Sequence, residues 1–460
     1  MNRTDTCIAY IQTIIYLKSK NISTSCGLAS IFAQCNRPRW AAFLAAALLL
    51  FMPGLAAAQD TVARPRIAAQ VDESRLTVLR GNMHPLARPQ NDQGKVDPSF
   101  NLERITMTFQ PTAAQQADLD ALLAAQQNPT SPNFHQWLSP EQYAGRFGIA
   151  QSDLDKVTAW LQAKGLAIVE IPRSRNWIVF SGTAAQVESA LHSEVRSYTA
   201  NGKTFYANSA EPSVPAALAG VVLGFRGLHN FPVKPRGLKS LSASVQPKFT
   251  SSVSGNHFLA PGDFQTIYDL KPLYSAGIDG AGQNIAIVGQ SNIKLTDIAT
   301  FRSLSGLPAN VPTLKLVPGS TDPLIVDGDV QEASLDIEWA GAVAKNATII
   351  FVYSTNAFNS LAYAIQQNLA PVISVSYGSC EPTFSTSDIS GFVAMAKQAN
   401  AQGITIVSAS GDGGATDCDG DLGLRCGKTG RHYQRQQRRG QPAKNRPHDI
   451  LRAIYWLGAR

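Results

Sequence analysis

From Glu103 onward the chain switches between a two-residue and a helical hydrophobic period. RITMTFQ alternates as a strand does, and AAQQADLDALLAAQQ (113–127) spaces its apolar positions as an amphipathic helix. The polar, proline-containing stretch NPTSPNFHQWLSPEQYAGRFG reads as a loop. QSDLDKVTAWLQAKG (151–165) predicts a helix with Ser152 as N-cap and Gly165 as its stop. LAIVEI and NWIVFSG predict strands, and TAAQVESALH a helix. EVRSYT and KTFYAN predict a hairpin turning at Asn201-Gly202. Paired strands crossed by helices predict an α+β sandwich of ferredoxin-like type over residues 75–231, behind a weak lead-in at 60–80.

The stretch 231–256 has no acid, three prolines, many serines and no hydrophobic period. It predicts an exposed, cleavable linker, bounded at 232–256. A different pattern fills 257–421. QNIAIVGQ (283–290), ATIIFVY (347–353), PVISVSYG (371–378) and ITIVSASG read as buried parallel strands. Helical segments near 330–344, FNSLAYAIQQN and ISGFVAMAKQANAQG separate them. This alternation predicts a doubly wound parallel sheet, whose ligands sit at the carboxyl ends of the strands.

The two ends differ from this body. RPRWAAFLAAALLLFMPGLAAAQD combines basic residues, an apolar run of about a dozen and small residues at Ala56–Ala58. It predicts a secretory signal peptide at 37–58, with a signal anchor as the alternative, and no stable membrane span. Residues 1–36 precede it, as a start codon called too far upstream would explain. From Leu422 to Arg460 there are ten Lys or Arg and one acid, while the other 421 residues carry 30 basic and 32 acidic side chains. The net charge of +7 is therefore a property of the tail, and a basic, nucleic-acid-binding body is not indicated. The tail breaks off the strand–helix pattern, which predicts a shifted reading frame over 422–460 rather than an RNA-binding arm. In an oxidising compartment Cys380, Cys418 and Cys426 would remain. A Cys380–Cys418 bridge is one pairing among those open to them.

Candidate chemistry begins with QEASLDIEWAGAVA (331–344), where Glu332 and Asp336 lie one turn apart among apolar residues. On one helix face two like charges repel by roughly 0.2–0.5 kcal/mol, and burial makes ionisation costlier. They are either solvated surface acids or a base and the group that orients it. Asp412, in SASGDGGATD, follows a buried strand at the expected crevice, although Gly-Asp-Gly-Gly is also an ordinary turn. No histidine occurs between Phe258 and Arg431, which argues against a Ser-His-Asp hydrolase and against a subtilisin proper.

With these residues in view, the chain resembles the sedolisins, the serine-carboxyl peptidases, over roughly residues 75–424. SPNFHQWLSPEQYAGRFG (131–148) is similar to the pro-kumamolisin signature, and YDLKPLYSAGIDGAGQNIAIVG to the entry of the catalytic domain. EASLDIEWAGAVAKNATIIFVY, VISVSYGSCE and SASGDGGA follow in the family's order. The resemblance implies a subtilisin-like α/β catalytic domain behind an α+β prodomain that inhibits it intramolecularly. It implies Glu332 as general base, Asp336 as the acid orienting it, and a protonated Asp412 as donor to the oxyanion. Ser376, Tyr377 and Gly378 would pair with a peptide substrate as an added strand. The family's nucleophile stands in a Gly-Thr-Ser motif, and none occurs in this chain. Its calcium loop is missing too, since TDCDGD (416–421) lacks the ligand spacing. The expectation is a secreted acid endopeptidase precursor with only the N-terminal half of its catalytic domain, inactive as written. The competing expectation is a prodomain protein acting as peptidase inhibitor or chaperone.

Overall fold

The computed structural model describes residues 63–409 apart from 69, 236–248, 251–256 and 380. The segments 1–36, 37–58 and 422–460 lie outside the described residues, as do Asp412, Cys380, Cys418, Cys426 and most of the linker.

The first part of the described chain runs β1 (Leu76–Val78), β2 (Asp92–Lys95), β3 (Asn101–Phe109), α1 (Ala113–Gln126), α2 (Pro140–Phe147) and α3 (Gln151–Ala163). It continues with β4 (Ala167–Glu170), β5 (Trp177–Thr183), α4 (Ala184–Leu191), β6 (Val195–Ala200) and β7 (Lys203–Asn208). It closes with β8 (Ser213–Pro215), α5 (Ala216–Ala219) and β9 (Val222–Arg226). Four strands pair antiparallel in the order β4-β5-β3-β9. With the helices between them they make the ferredoxin-like β-α-β-β-α-β arrangement. β2, β6 and β7 form a second sheet. The β6–β7 turn places Asn201 and Gly202 at φ of 51° and 71°, as a two-residue hairpin turn of matching twist demands.

Three local expectations are corrected. The stretch read as a loop contains α2, because Ser139 and Gln142 form a reciprocal capping box and Pro140 opens the helix. Tyr143 and Phe147, one turn apart, are buried on its inner side. The N-cap position of α3 is Ala150 rather than Ser152, and no side chain caps it. The lead-in is not weak, because the Asp153 carboxylate accepts from the N–H groups of Arg66 and Ile67 at 2.7 and 3.0 Å, and Ile67 is buried.

Beyond β10 (Lys234–Pro235), β11 (Phe249–Thr250) and β12 (His257–Phe258) come α6 (Pro261–Ile267), α7 (Lys271–Ser275), β13 (Asn284–Gly289), α8 (Leu295–Leu304) and β14 (Thr313–Leu316). α9 (Asp329–Val343), β15 (Thr348–Tyr353), α10 (Ala357–Gln366), β16 (Val372–Val375), β17 (Tyr377–Gly378), α11 (Thr386–Ala401) and β18 (Thr405–Ser408) follow. The parallel sheet is present, five strands in the order β14-β15-β13-β16-β18. PVISVSYG, read as one strand, is two. β16 lies in the parallel sheet, and β17 leaves it to pair antiparallel with β10. At the end of β13 a Cβ on Gly289 would stand 2.7 Å from the Phe351 ring, so only glycine lets the strand pass there.

The two parts share one seam. β5 alternates, so Ile178 and Phe180 fill the first core. Trp177 and Val179 face the other way, into a core with Leu361, Ala364, Ile365, Met395 and Ala399 of α10 and α11. Both faces of Trp177–Phe180 are therefore buried, which explains this apolar run.

Candidate active site

α9 starts at the carboxyl end of the sheet, where an α/β sheet holds its ligands. Asp329, Glu332 and Asp336 fall at i, i+3 and i+7, on one side of the helix. The first two lie in its first turn, where the helix dipole favours negative charge. Glu332 is 1% exposed, so these acids are not a solvated face.

Asp336 is held from another element. Its Oδ1 accepts from Ser376 Oγ at 2.9 Å. Its Oδ2 is buried and has no partner among the described residues. Burial pushes its pKa up to about 6, against the opposing hydrogen bond from Ser376. Burial likewise raises Asp329, although the Gln290 amide donates to its Oδ1 at 3.1 Å.

Tyr377 shows that the three acids converge. Its phenol donates to the Asp329 carbonyl at 3.3 Å. Burial raises its pKa first, and the charges of Asp329, Asp336 and Glu332 raise it further. Asp329 and Gln290 escaped the sequence reading. Asp329 carried a signal, since it extends the same helix face; Gln290 carried none, because its place follows from where β13 ends.

The edge of β17 is occupied by the chain itself. Lys234 pairs with Gly378 and Pro235 with Tyr377, antiparallel. Val233 is buried against Ala357 and Tyr377, beside Phe358 and Phe384. Its carbonyl accepts from the Gln290 amide at 3.0 Å. Of the linker's first residues, Pro232 and Lys234 are exposed as expected, while Val233 is buried and the backbone at Lys234–Pro235 is paired.

The arrangement can bind an extended peptide beside the buried Glu332 and the half-buried Asp329 and Asp336, the last of which exchanges its proton near weakly acidic pH. Among the described residues no group of three or more His, Cys, Asp or Glu could hold a metal ion. TDCDGD (416–421) lies outside the described residues. Among the described residues no helix is long and apolar enough to cross a membrane.

Residues 90–231 match the family described as pro-kumamolisin, activation domain. The chain is similar to xanthomonalisin of Xanthomonas sp. (strain T-22), 30% identical over 318 residues, which cover 64% of this chain and 38% of that protein. It is similar to sedolisin of Pseudomonas sp. (strain 101), at 27% identity over 66% of this chain and 53% of the relative. It is also similar to kumamolisin of Bacillus sp. (strain MN-32), at 26% over 76% of this chain and 64% of the relative. The chain thus spans between about 38% and 64% of the length of these relatives. On these matches the chain is a relative of the sedolisins that carries a pro-kumamolisin activation domain.

Proposed function

We propose that this chain is the precursor of a secreted, acid-working endopeptidase of the serine-carboxyl type, with a subtilisin-like catalytic part. Glu332 is the general base, Asp336 orients it, and Asp412 donates to the oxyanion. Protein or peptide substrates add as a strand on Ser376–Gly378. The observation that carries this reading is the chain's own Lys234–Pro235 lying on Tyr377–Gly378 beside Asp336 and the buried Glu332. It supports the activation domain as an intramolecular inhibitor that holds the substrate's place. A base with a carboxylate beside it suits acid pH, where a shared proton keeps the pair from repelling.

The 460 residues contain no Gly-Thr-Ser, so we propose that this chain alone does not turn over peptides. Acid-pH casein cleavage is the test. The purified chain should give none, and cleavage would overturn the proposed inactivity. Reading all frames downstream of codon 415 should yield a Gly-Thr-Ser form. In that form Glu332→Gln should lower kcat by about 10²-fold or more, and undiminished kcat would overturn its role. The second reading, a peptidase inhibitor acting in trans, rests on the same occupied edge. It predicts that the 460-residue chain slows a sedolisin-type peptidase added to it.

A further inference from the structure

The chain's own segment on β17 is held by one side chain and one carbonyl of the same residue. The Val233 side chain is buried against Ala357, the first residue of α10, and Tyr377, beside Phe358 and Phe384. Phe358 and Phe384 stand edge to face with centroids 6.2 Å apart, and both pack against Phe392, at 4.2 and 5.3 Å. Rings that brace one another in this way make a stiff apolar wall.

Gln290, just beyond β13, grips the carbonyl. It is 9% exposed, and both ends of its amide are engaged. Nε2 donates to the Val233 carbonyl at 3.0 Å and to Asp329 Oδ1 at 3.1 Å. Oε1 accepts from the Ala357 N–H at 3.5 Å, at the start of α10. A side-chain amide has two N–H donors and one carbonyl, so these partners fix which end points where. The first turn of a helix offers only donors, and the Asp329 oxygen accepts. Between them they turn the remaining N–H of Gln290 toward the peptide.

Side chain and carbonyl of one peptide residue are therefore read together. Alanine at this position would leave the recess without the two methyl groups that fill it, and an acid would carry an unpaired charge into it. A peptide that brought no carbonyl to Gln290 would leave a buried donor unpaired, which costs more than the bond contributes. The next residue, Lys234, is exposed, so its side chain is not read. The one after it is a proline that pairs with Tyr377.

We propose that Ala357, Phe358, Tyr377 and Phe384 form a subsite for a branched aliphatic side chain of the bound peptide, and that Gln290 binds the carbonyl of that same residue, with Asp329 positioning the amide. This rests on the reading that peptides add as a strand on Ser376–Gly378. The substrate class that follows is a peptide with valine or isoleucine two positions before the residue that pairs with Tyr377. Asp329 then serves substrate binding and is not a third member of the Glu332–Asp336 pair.

The test uses the full chain and reads hydrogen exchange of the Gly378 amide, which lies under Lys234. Val233→Ala should quicken it about tenfold, and Gln290→Leu about fivefold. Gln290→Glu keeps the shape. It should quicken exchange at pH 7.5 and return toward the wild-type rate at pH 4.5, where the carboxyl regains a proton to donate. Asp329→Ala should quicken exchange too, whereas Asp329→Asn, which keeps the acceptor, should not. Wild-type exchange at pH 7.5 in Val233→Ala, or in either Gln290 variant that folds, overturns the proposal. A second arm adds acetyl-Val-Lys-Pro-amide or acetyl-Ala-Lys-Pro-amide to Val233→Asp, or to Val233→Ala should the first variant not fold. The valine peptide should restore Gly378 protection at about a tenth of the concentration that the alanine peptide needs. Equal potency overturns the subsite and leaves the strand reading standing. Restoration by neither peptide overturns the strand reading, and the subsite with it.

Discussion

Ser376 Oγ donates to Asp336 Oδ1 at 2.9 Å, across forty residues of sequence. The serine stands where the strand leaves the parallel sheet, between Val375 and Tyr377. The same residues thus hold an acid with a side chain and offer an edge with the backbone. Substrate pairing and acid placement are mechanically one element.

Removing that hydroxyl takes away the hydrogen bond that favours the charged form of Asp336. Ser376→Ala should move the Asp336 pKa further above about 6. Carbon-detected NMR titration of the carboxyl measures this. A pKa unchanged or lowered would contradict the geometry.

Asp336 also predicts a pH-dependent stability. Its folded pKa of about 6 lies above the ordinary 3.8, so folding favours the protonated form. The penalty is absent below pH 3.8 and grows as pH rises through 6. At 1.36 kcal/mol per unit it reaches at most about 3 kcal/mol at neutral pH. Asp336→Asn should therefore stabilise the protein at pH 7 and leave it nearly unchanged at pH 3.5, as urea titrations at both pH values would record. Equal effects at the two would contradict it.

The buried amide cluster around Gln366 should show no such dependence on pH. Gln366→Ala leaves Ser174 and Asn176 short of a buried partner. The cost should be about 2–3 kcal/mol, equal at pH 7 and pH 5, read from the same denaturation midpoints.

Val233→Asp would put an unpaired carboxylate where Val233 packs on Ala357 and Tyr377. It should detach Lys234–Pro235 from β17. Amide exchange at Gly378 should then quicken by about tenfold or more, whereas Val233→Ile should leave it nearly as slow as wild type.

Much of the fold was legible in the sequence because periodicity reports burial. β3, α1, β5 and the parallel strands are long apolar repeats whose type the period declares. α2 was misread although Ser139-Pro140-Glu141-Gln142 spells a cap, because the asparagines and prolines before it outweighed the signal. Ile67 carries no signal because a single apolar residue has no period; Asp153 and Lys156, 86 and 89 residues away, tether its backbone.

The sequence by itself determined that 113–127 and the segment near 330–344 are helical, that the second part is a parallel sheet, and that Glu332 and Asp336 share a face, since all of these follow from local pattern. Tertiary structure alone decided that Ser376 reaches Asp336. It alone laid Val233–Pro235 on the β17 edge and gathered His84, His229 and Arg226 around Asp388. Those relationships join residues far apart in the chain. They depend on strand order and on which faces pack together, and no local pattern encodes either.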